Sequence, residues 1–101
     1  MLPECNVPYD YTAASMAQMY FSLGNEEDLA KGDRMMRIVA DKCVDYLSWG
    51  DSLNKERRKS QQNTLNQQLG ILSYVLQSCE RYHRQDILDE YYPIYATYAK
   101  R

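Results

Sequence analysis

The sequence predicts an all-α protein, and three observations indicate this class. Apolar residues recur at intervals of three and four in every segment between turns, which is the period of a helix. No window alternates apolar and polar residues as a half-buried strand does. Glycine or a short polar side chain stands at the segment ends, where helices stop or begin. We predict four helices that form two antiparallel helical hairpins.

The length and composition are those of one globular domain. A chain of 101 residues can bury one modest core. Its 45% apolar and 26% charged residues argue against disorder. No apolar run reaches the roughly 20 residues that span a bilayer. Residues 1–9 contain Pro3 and Pro8 and show no apolar period, so we expect an extended leader there and a single helical domain over residues 10–101.

Helix 1 is expected to begin at a cap on Asp10 or Thr12 and to reach Leu23, where Gly24 ends it in the left-handed conformation. Its apolar residues surround most of its circumference and leave a single polar stripe. A helix of this kind must be covered on more than one side, and a chain this short has few other residues with which to cover it. We therefore expect another domain or another chain to cover part of helix 1.

Helix 2 is expected to begin after Asn25, whose side chain can cap it, and to end near Gly50. Three acidic residues follow the cap, and their negative charges stabilise the positive N-terminal end of the helix. Apolar residues then recur in helical period along one face. On the opposite face Arg37 and Asp41 are four residues apart, and we expect them to pair.

Helix 3 is expected to begin at a cap on Ser52 or Asn54 and to end near residues 82–84. Residues 55–63 are polar throughout, but from Leu65 onward apolar residues step by four and three. Gly70 interrupts this stripe, and glycine in a helix interior lowers the stability of the helix by about 1 kcal/mol relative to alanine. We expect a facing backbone to approach closely at that glycine.

Helix 4 is expected to begin at a cap on Asp86 and to continue from Ile87 to Tyr98. Pro93 lies inside it, where proline removes one hydrogen bond and clashes with the carbonyl of Asp89. We predict a kink at Pro93 or two short helices.

No set of residues indicates catalysis. The sequence has no glycine-rich phosphate loop, and its three cysteines lack the spacing of a zinc site. Cys79 and His83 are one helical turn apart, which leaves a cysteine enzyme as one alternative, with Asp86 or Glu80 orienting the histidine. We expect no catalytic residue, no cofactor and no metal in this chain.

The charge and the tyrosine content favour protein partners. A net charge of −2 gives no long-range attraction for nucleic acid, so none is expected as a partner. Ten tyrosines suit half-buried positions and interfaces. We expect a non-enzymatic interaction domain that binds a neighbouring domain of the same chain, or further copies of itself, through apolar faces of the first and last helices. The candidate interface residues are Met16, Met19, Tyr20, Tyr91, Tyr95 and Tyr98.

A basic run supports another alternative. Residues 55–59 carry a local charge of +3, from four basic residues and one acidic one, although a solvated helix start is the simpler interpretation. Together with Tyr74 or Tyr82, this run could line a groove for a peptide or nucleic acid. The chain would then be a self-contained soluble adaptor.

The first hairpin resembles a tetratricopeptide-type unit. Residues 20–25, with the sequence YFSLGN, are similar to the turn between the helices of that family, and Ala17 is a small residue one turn earlier. Leu29 departs from the motif, which has alanine there, and the second hairpin lacks the turn glycine. The resemblance implies tetratricopeptide-like packing of the two hairpins without a true internal repeat.

A second resemblance covers roughly residues 9–98. Residues 19–25 (MYFSLGN), residues 40–49 (ADKCVDYLSW), residues 65–76 and the tyrosine-rich end look like the C-terminal soluble tail of a family of bacterial polytopic membrane proteins. That family is similar to protein O-mannosyltransferases. The resemblance implies an accessory tail on the non-cytoplasmic side of a membrane, attached to a parent segment that precedes Met1. Any glycosyltransfer would belong to that parent segment. Without the resemblance, we expect a cytoplasmic protein.

Overall fold

The computed structural model describes residues 11–100, of which about 89% are helical and none is in a strand. The predicted all-α class is therefore confirmed for this range. The leader at residues 1–9, which contains Cys5, lies outside the described residues. The helices within the described range are α1 (Tyr11–Leu23), α2 (Glu26–Asp51), α3 (Lys55–Ser60), α4 (Gln62–Arg81) and α5 (Gln85–Ala99).

Two asparagines cap helices as the sequence predicts. The side-chain oxygen of Asn25 accepts a hydrogen bond from the backbone N–H of Asp28 at 2.9 Å. Asn54 accepts one from the backbone N–H of Arg57 at the same distance. Each bond satisfies a helix N–H that has no partner within its own helix. Gly24 ends α1 with a φ of 81°, which confirms the left-handed stop.

The predicted long helix 3 is two helices, so the described chain has five helices where four were expected. The break lies at Gln61, with φ −100° and ψ 5°. The backbone N–H of Gln61 bonds to the carbonyls of Arg57 and Arg58, both at 3.1 Å. None of the six residues of α3 is buried, so no contact with the core favours α3 and α4 forming one continuous helix.

The start of α5 also differs from the prediction. The residue before the helix is Arg84, which makes no side-chain cap, and Asp86 lies inside the first turn. Asp86 therefore does not cap α5, although its charge still suits the positive helix end. The helix runs from Gln85 to Ala99 through Pro93 without a break. Two short helices were the wrong alternative, and the kink stays a prediction.

The helices α2 and α4 form the centre of the molecule. α1 packs mainly on α2 and also on α4, whereas α5 packs mainly on α4 and also on α2. The short links make α1 and α2 antiparallel, as they do α4 and α5. Tyr11 and Phe21 of α1 contact Tyr74 and Tyr82 of α4 in the same order, so α1 and α4 run parallel. The described residues extend 48 × 27 × 17 Å along their principal axes, so the molecule is elongated.

A single core lies between the four longer helices. Its largest fully buried side chains are those of Met36, Leu72, Ile87, Val39, Val75, Cys43 and Cys79. Gly70 does not face a backbone within the described chain. A Cβ atom placed on it would lie 3.1 Å from the hydroxyl of Tyr11, so that tyrosine fills the space that was expected to hold a facing backbone.

Gly32 sets how closely α1 approaches α2. A Cβ atom on Gly32 would lie 2.5 Å from Cε1 of Phe21 and 3.0 Å from the carbonyl oxygen of Ala17. Phe21 is only 3% exposed, so its ring has little room to move.

We expect Gly32→Ala to lower the free energy of unfolding by about 1–3 kcal/mol, because overpacking outweighs the better helix propensity of alanine. Urea denaturation followed by circular dichroism measures the change. Ser48→Ala is the control, since Ser48 is exposed on the same helix and should change stability by less than about 0.5 kcal/mol. Equal stability of the two variants would show that α1 can shift away from α2 at little cost.

Candidate functional site

The outward side of α1 carries a row of uncharged side chains that the rest of the described chain does not cover. We call Thr12, Met16, Met19 and Leu23 the α1 outer face. Their spacing of four, three and four residues places them along one side of a helix. Met16 is 45% exposed, Met19 68% and Leu23 64%. Thr12 is also exposed, and Tyr20 is half-buried at the edge of the row.

The other sides of α1 are held by the neighbouring helices. Ala14, Ala17 and Phe21 are buried in the core. On the side that faces α4, the Gln18 side-chain amide donates a hydrogen bond of 2.7 Å to the Tyr74 hydroxyl, and the hydroxyl of Ser15 lies 3.1 Å from the same oxygen. α1 therefore cannot rotate to bury its outer face without losing these contacts. This agrees with the expectation that the chain leaves part of helix 1 uncovered.

The α1 outer face lies on a helix that contains no charged residue. Every other helix in the range 11–100 carries acidic or basic side chains. The exposed hydroxyl of Ser22 donates a hydrogen bond of 2.7 Å to the carbonyl oxygen of Met19. Ser15, Gln18 and Ser22, which lie beside the face, therefore each have a partner within the chain, and covering the face would not remove a charged group from water.

The candidate residues on α5 do not all lie on the surface. Tyr91 is 3% exposed, and its hydroxyl donates a hydrogen bond to a carboxylate oxygen of Asp41. It cannot contact a partner while the fold is intact, so its inclusion among the interface residues is corrected here. Tyr95 and Tyr98 are half-buried and pack against the core. The tyrosine that α5 exposes is Tyr92, at 58%.

The polar face of α2 holds α5 in place. Asp33 receives two hydrogen bonds from the Arg84 guanidinium, at 2.8 and 2.5 Å. One turn further along α2, Arg37 forms an ion pair with Glu90. The predicted pairing of Arg37 with Asp41 is therefore replaced by contacts with α5, in which Arg37 donates to Glu90 and Asp41 accepts from Tyr91. The hydrogen bond from Arg37 to Glu90 raises the pKa of that guanidinium, whereas burial and then the bond to Asp41 raise the pKa of Tyr91.

Arg84 also connects this polar row to α1. Its guanidinium carbon lies 5.4 Å from the centre of the Phe21 ring, within the range of a cation–π contact. The hydrogen bond to Asp33 raises the pKa of Arg84, so its guanidinium is charged across the ordinary pH range. These contacts join α1, α2 and the start of α5 at one end of the molecule, and we assign them to the stability of the fold.

Cys79 and His83 are not arranged as a nucleophile and its base. Cys79 has no exposed surface, and burial raises the pKa of its thiol to about 12. His83 is exposed in the turn after α4, with a φ of 60°. The backbone N–H of Arg84 donates a hydrogen bond of 2.8 Å to the carbonyl oxygen of Cys79, and the N–H of His83 donates one of 3.3 Å to the carbonyl oxygen of Glu80. This pair of bonds is the Schellman motif, which ends a helix with a residue in the left-handed conformation. The geometry therefore argues against the cysteine-enzyme alternative.

The groove of the adaptor alternative is not assembled. The basic residues 55–59 lie on α3, beside the start of α4, whereas Tyr82 follows its last residue. The 20 residues of α4 separate them by about 30 Å. Tyr74 is engaged with α1, and Arg58 donates hydrogen bonds of 3.2 Å to the carbonyls of Gly50 and Asp51. These aromatic and basic residues therefore do not line one surface.

An open cleft of about 440 Å³ lies at the end where α2 and α5 stop and α4 begins. Its lining includes the apolar side chains of Leu47, Leu65 and Leu69 and the charged side chain of Arg58. Among residues 11–100 no three side chains are placed to hold a metal ion. Within the same range, each helix is too short or too polar to cross a membrane.

Comparisons with protein-family models, with curated proteins and with solved structures find no match to this chain.

Proposed function

We propose that this chain is a non-enzymatic helical interaction domain that binds a protein through the α1 outer face. The observation that carries the proposal is the exposure of Met16, Met19 and Leu23 on an uncharged helix that is fixed on its other sides. Burying a side chain of this size completely is worth about 1.5–3 kcal/mol. Because these three side chains are partly exposed, a substantial part of that free energy would be gained when a partner covers them. Exposed apolar patches of this kind mark interaction sites.

The order of the helices supports this assignment. We propose that the hairpins α1–α2 and α4–α5 stack in a tetratricopeptide-like manner, because α1 lies beside α4 and α2 beside α5. In stacked repeats the terminal unit normally shows a polar outer side to water. The terminal helix α1 instead shows methionine and leucine, so another protein surface is needed to complete the stack.

The setting of the domain is a separate proposal. On the family resemblance of residues 9–98, we propose that it is the accessory tail of a larger bacterial membrane protein on the non-cytoplasmic side. A neighbouring domain of the parent would then be available to α1. Without that parent the domain is expected in the cytoplasm, where the partner is another chain.

Photo-crosslinking in the native cell tests the interaction. A photoreactive amino acid replaces Met19 in one variant and Lys59, which is exposed on α3, in the control. We expect a defined protein adduct from position 19 that is absent from position 59. Adding Leu23→Lys to the first variant should reduce the adduct at least about tenfold, because the new charge would have to lose water on binding.

The interaction proposal would be contradicted by the same adducts from both positions, by no adduct at position 19, or by an adduct that Leu23→Lys leaves unchanged. Circular dichroism of each purified variant shows that the fold is retained. Both substituted positions on α1 are exposed, so the helices should remain intact.

A further inference from the structure

We infer that the partner of the α1 outer face is a second copy of this chain, joined to the first by packing of α1 against α1 about a two-fold axis. The inference rests on the proposed function, since it names the occupant of the same face. Three features of the described residues lead to it: the spacing of the face, the absence of charge on it, and the state of the polar groups beside it.

The spacing of the face is that of a helix-to-helix seam. Thr12, Met16, Met19 and Leu23 follow one another at four, three and four residues, which is the a/d pattern of a coiled coil. Side chains at this spacing interlock with those of a second helix of the same period. The row spans about 16 Å along the helix axis, so a partner helix of three turns covers it. α1 itself has 13 residues and is such a helix.

The absence of charge favours a copy over a different partner. In a two-fold dimer each residue meets the same patch on the other chain, so a charge on the face would meet an identical charge nearby. α1 has none, and the net charge of the whole chain is only −2, so two copies repel each other weakly. Different partners are commonly selected by complementary charges across the interface. The α1 outer face carries no charge with which to make that selection.

The polar groups beside the face do not oppose its burial. Ser15 and Gln18 contact the Tyr74 hydroxyl within the same chain, and Ser22 is bonded to the carbonyl of Met19. Dimerisation can therefore remove water from the methionines and Leu23 while Ser15, Gln18 and Ser22 keep the partners that they have within the chain. Four side chains per copy bury less than the roughly 800 Å² per partner of a standard interface. We expect a weak dimer, with a Kd on the order of 10 µM to 1 mM.

Sedimentation equilibrium of the full chain from about 10 µM to 1 mM tests the inference directly. We expect a reversible monomer–dimer equilibrium in reducing buffer, which keeps the cysteines from cross-linking. Met19→Lys and Met19→Glu should each raise the Kd at least about tenfold, because like charges would meet in the seam. Ile38→Lys is the matched control. Ile38 is 50% exposed on α2, outside the face, and its substitution should leave the Kd unchanged.

Mixing the two charged variants gives the sharpest result. Equal amounts of Met19→Lys and Met19→Glu should associate with each other at concentrations where each alone is monomeric. This rescue requires that α1 of one copy lies against α1 of the other. The two variants are distinguished in the mixed dimer by native mass spectrometry.

Three results would overturn the inference: a wild-type chain that is monomeric at 1 mM, a dimer that tolerates both charged variants, or a mixture that fails to associate. The proposed function would still stand if the chain were monomeric while position 19 cross-linked to a different protein. It would fall with the inference if position 19 gave no adduct at all. The two proposals are therefore separated by the pair of experiments.

Discussion

Met36→Ala is expected to lower the free energy of unfolding by about 2–5 kcal/mol, the range for truncating a large buried side chain. Met36 has no exposed surface and is among the largest fully buried side chains of the core. Its removal loses apolar burial and leaves a cavity that neighbouring helices can fill only in part. For a domain whose total stability is about 5–15 kcal/mol, this is a large loss. Urea denaturation at a few micromolar protein measures it.

Met19→Ala is the matched control, because it makes the same chemical change on the α1 outer face. Met19 is 68% exposed, and methionine and alanine are both good helix formers, so we expect a change of less than about 0.5 kcal/mol. A loss as large as that of Met36→Ala would show that Met19 is covered within a single chain. That outcome would remove the basis for binding through α1. The low protein concentration keeps any dimer from contributing.

Cys79 is expected to react with iodoacetamide about 1000-fold more slowly in the folded protein than in urea. Burial raises the pKa of its thiol from 9.0 to about 12, with Asp33 adding to the shift, and the thiolate is the reactive form. A rise of three pKa units lowers the thiolate fraction near pH 8 by about 10³. Mass spectrometry of the labelled peptide follows the rate at Cys79, and added free cysteine serves as the reference for the reagent.

His83→Ala separates burial from activation. If His83 is only a turn residue, its replacement leaves the labelling rate of Cys79 unchanged. Rapid labelling of Cys79 that depends on His83 would instead indicate an activated thiolate. It would contradict the non-enzymatic assignment and support the cysteine-enzyme alternative.

Local rules predicted three helix ends, but neither the break in the third helix nor the start of α5. Gly24, Asn25 and Asn54 act through hydrogen bonds or backbone angles within a few residues, so the sequence alone reveals them. The break at Gln61 was missed because a polar helix and a turn can have the same composition. A polar segment joins the neighbouring helix only when some of its side chains are buried in the core, and no side chain of α3 is buried.

Contacts between distant residues decide what the surface shows. The sequence predicted that α1 has too many apolar sides, but Tyr74, more than 50 residues away, fixes which side stays exposed. On α5 the neighbours Tyr91 and Tyr92 have identical side chains and opposite surroundings. Asp41 of α2 binds the first and so turns the second outward. Arg37 and Asp41, which are four residues apart on α2, likewise contact residues of α5 and do not form the pair that their spacing predicted.

The part of the chain that the structure describes is elongated, with extents of 48, 27 and 17 Å along its principal axes. The same shape gives much surface for few residues. For the interaction domain proposed above, such a shape suits recognition by contact, as a spacer or a clamp between larger parts.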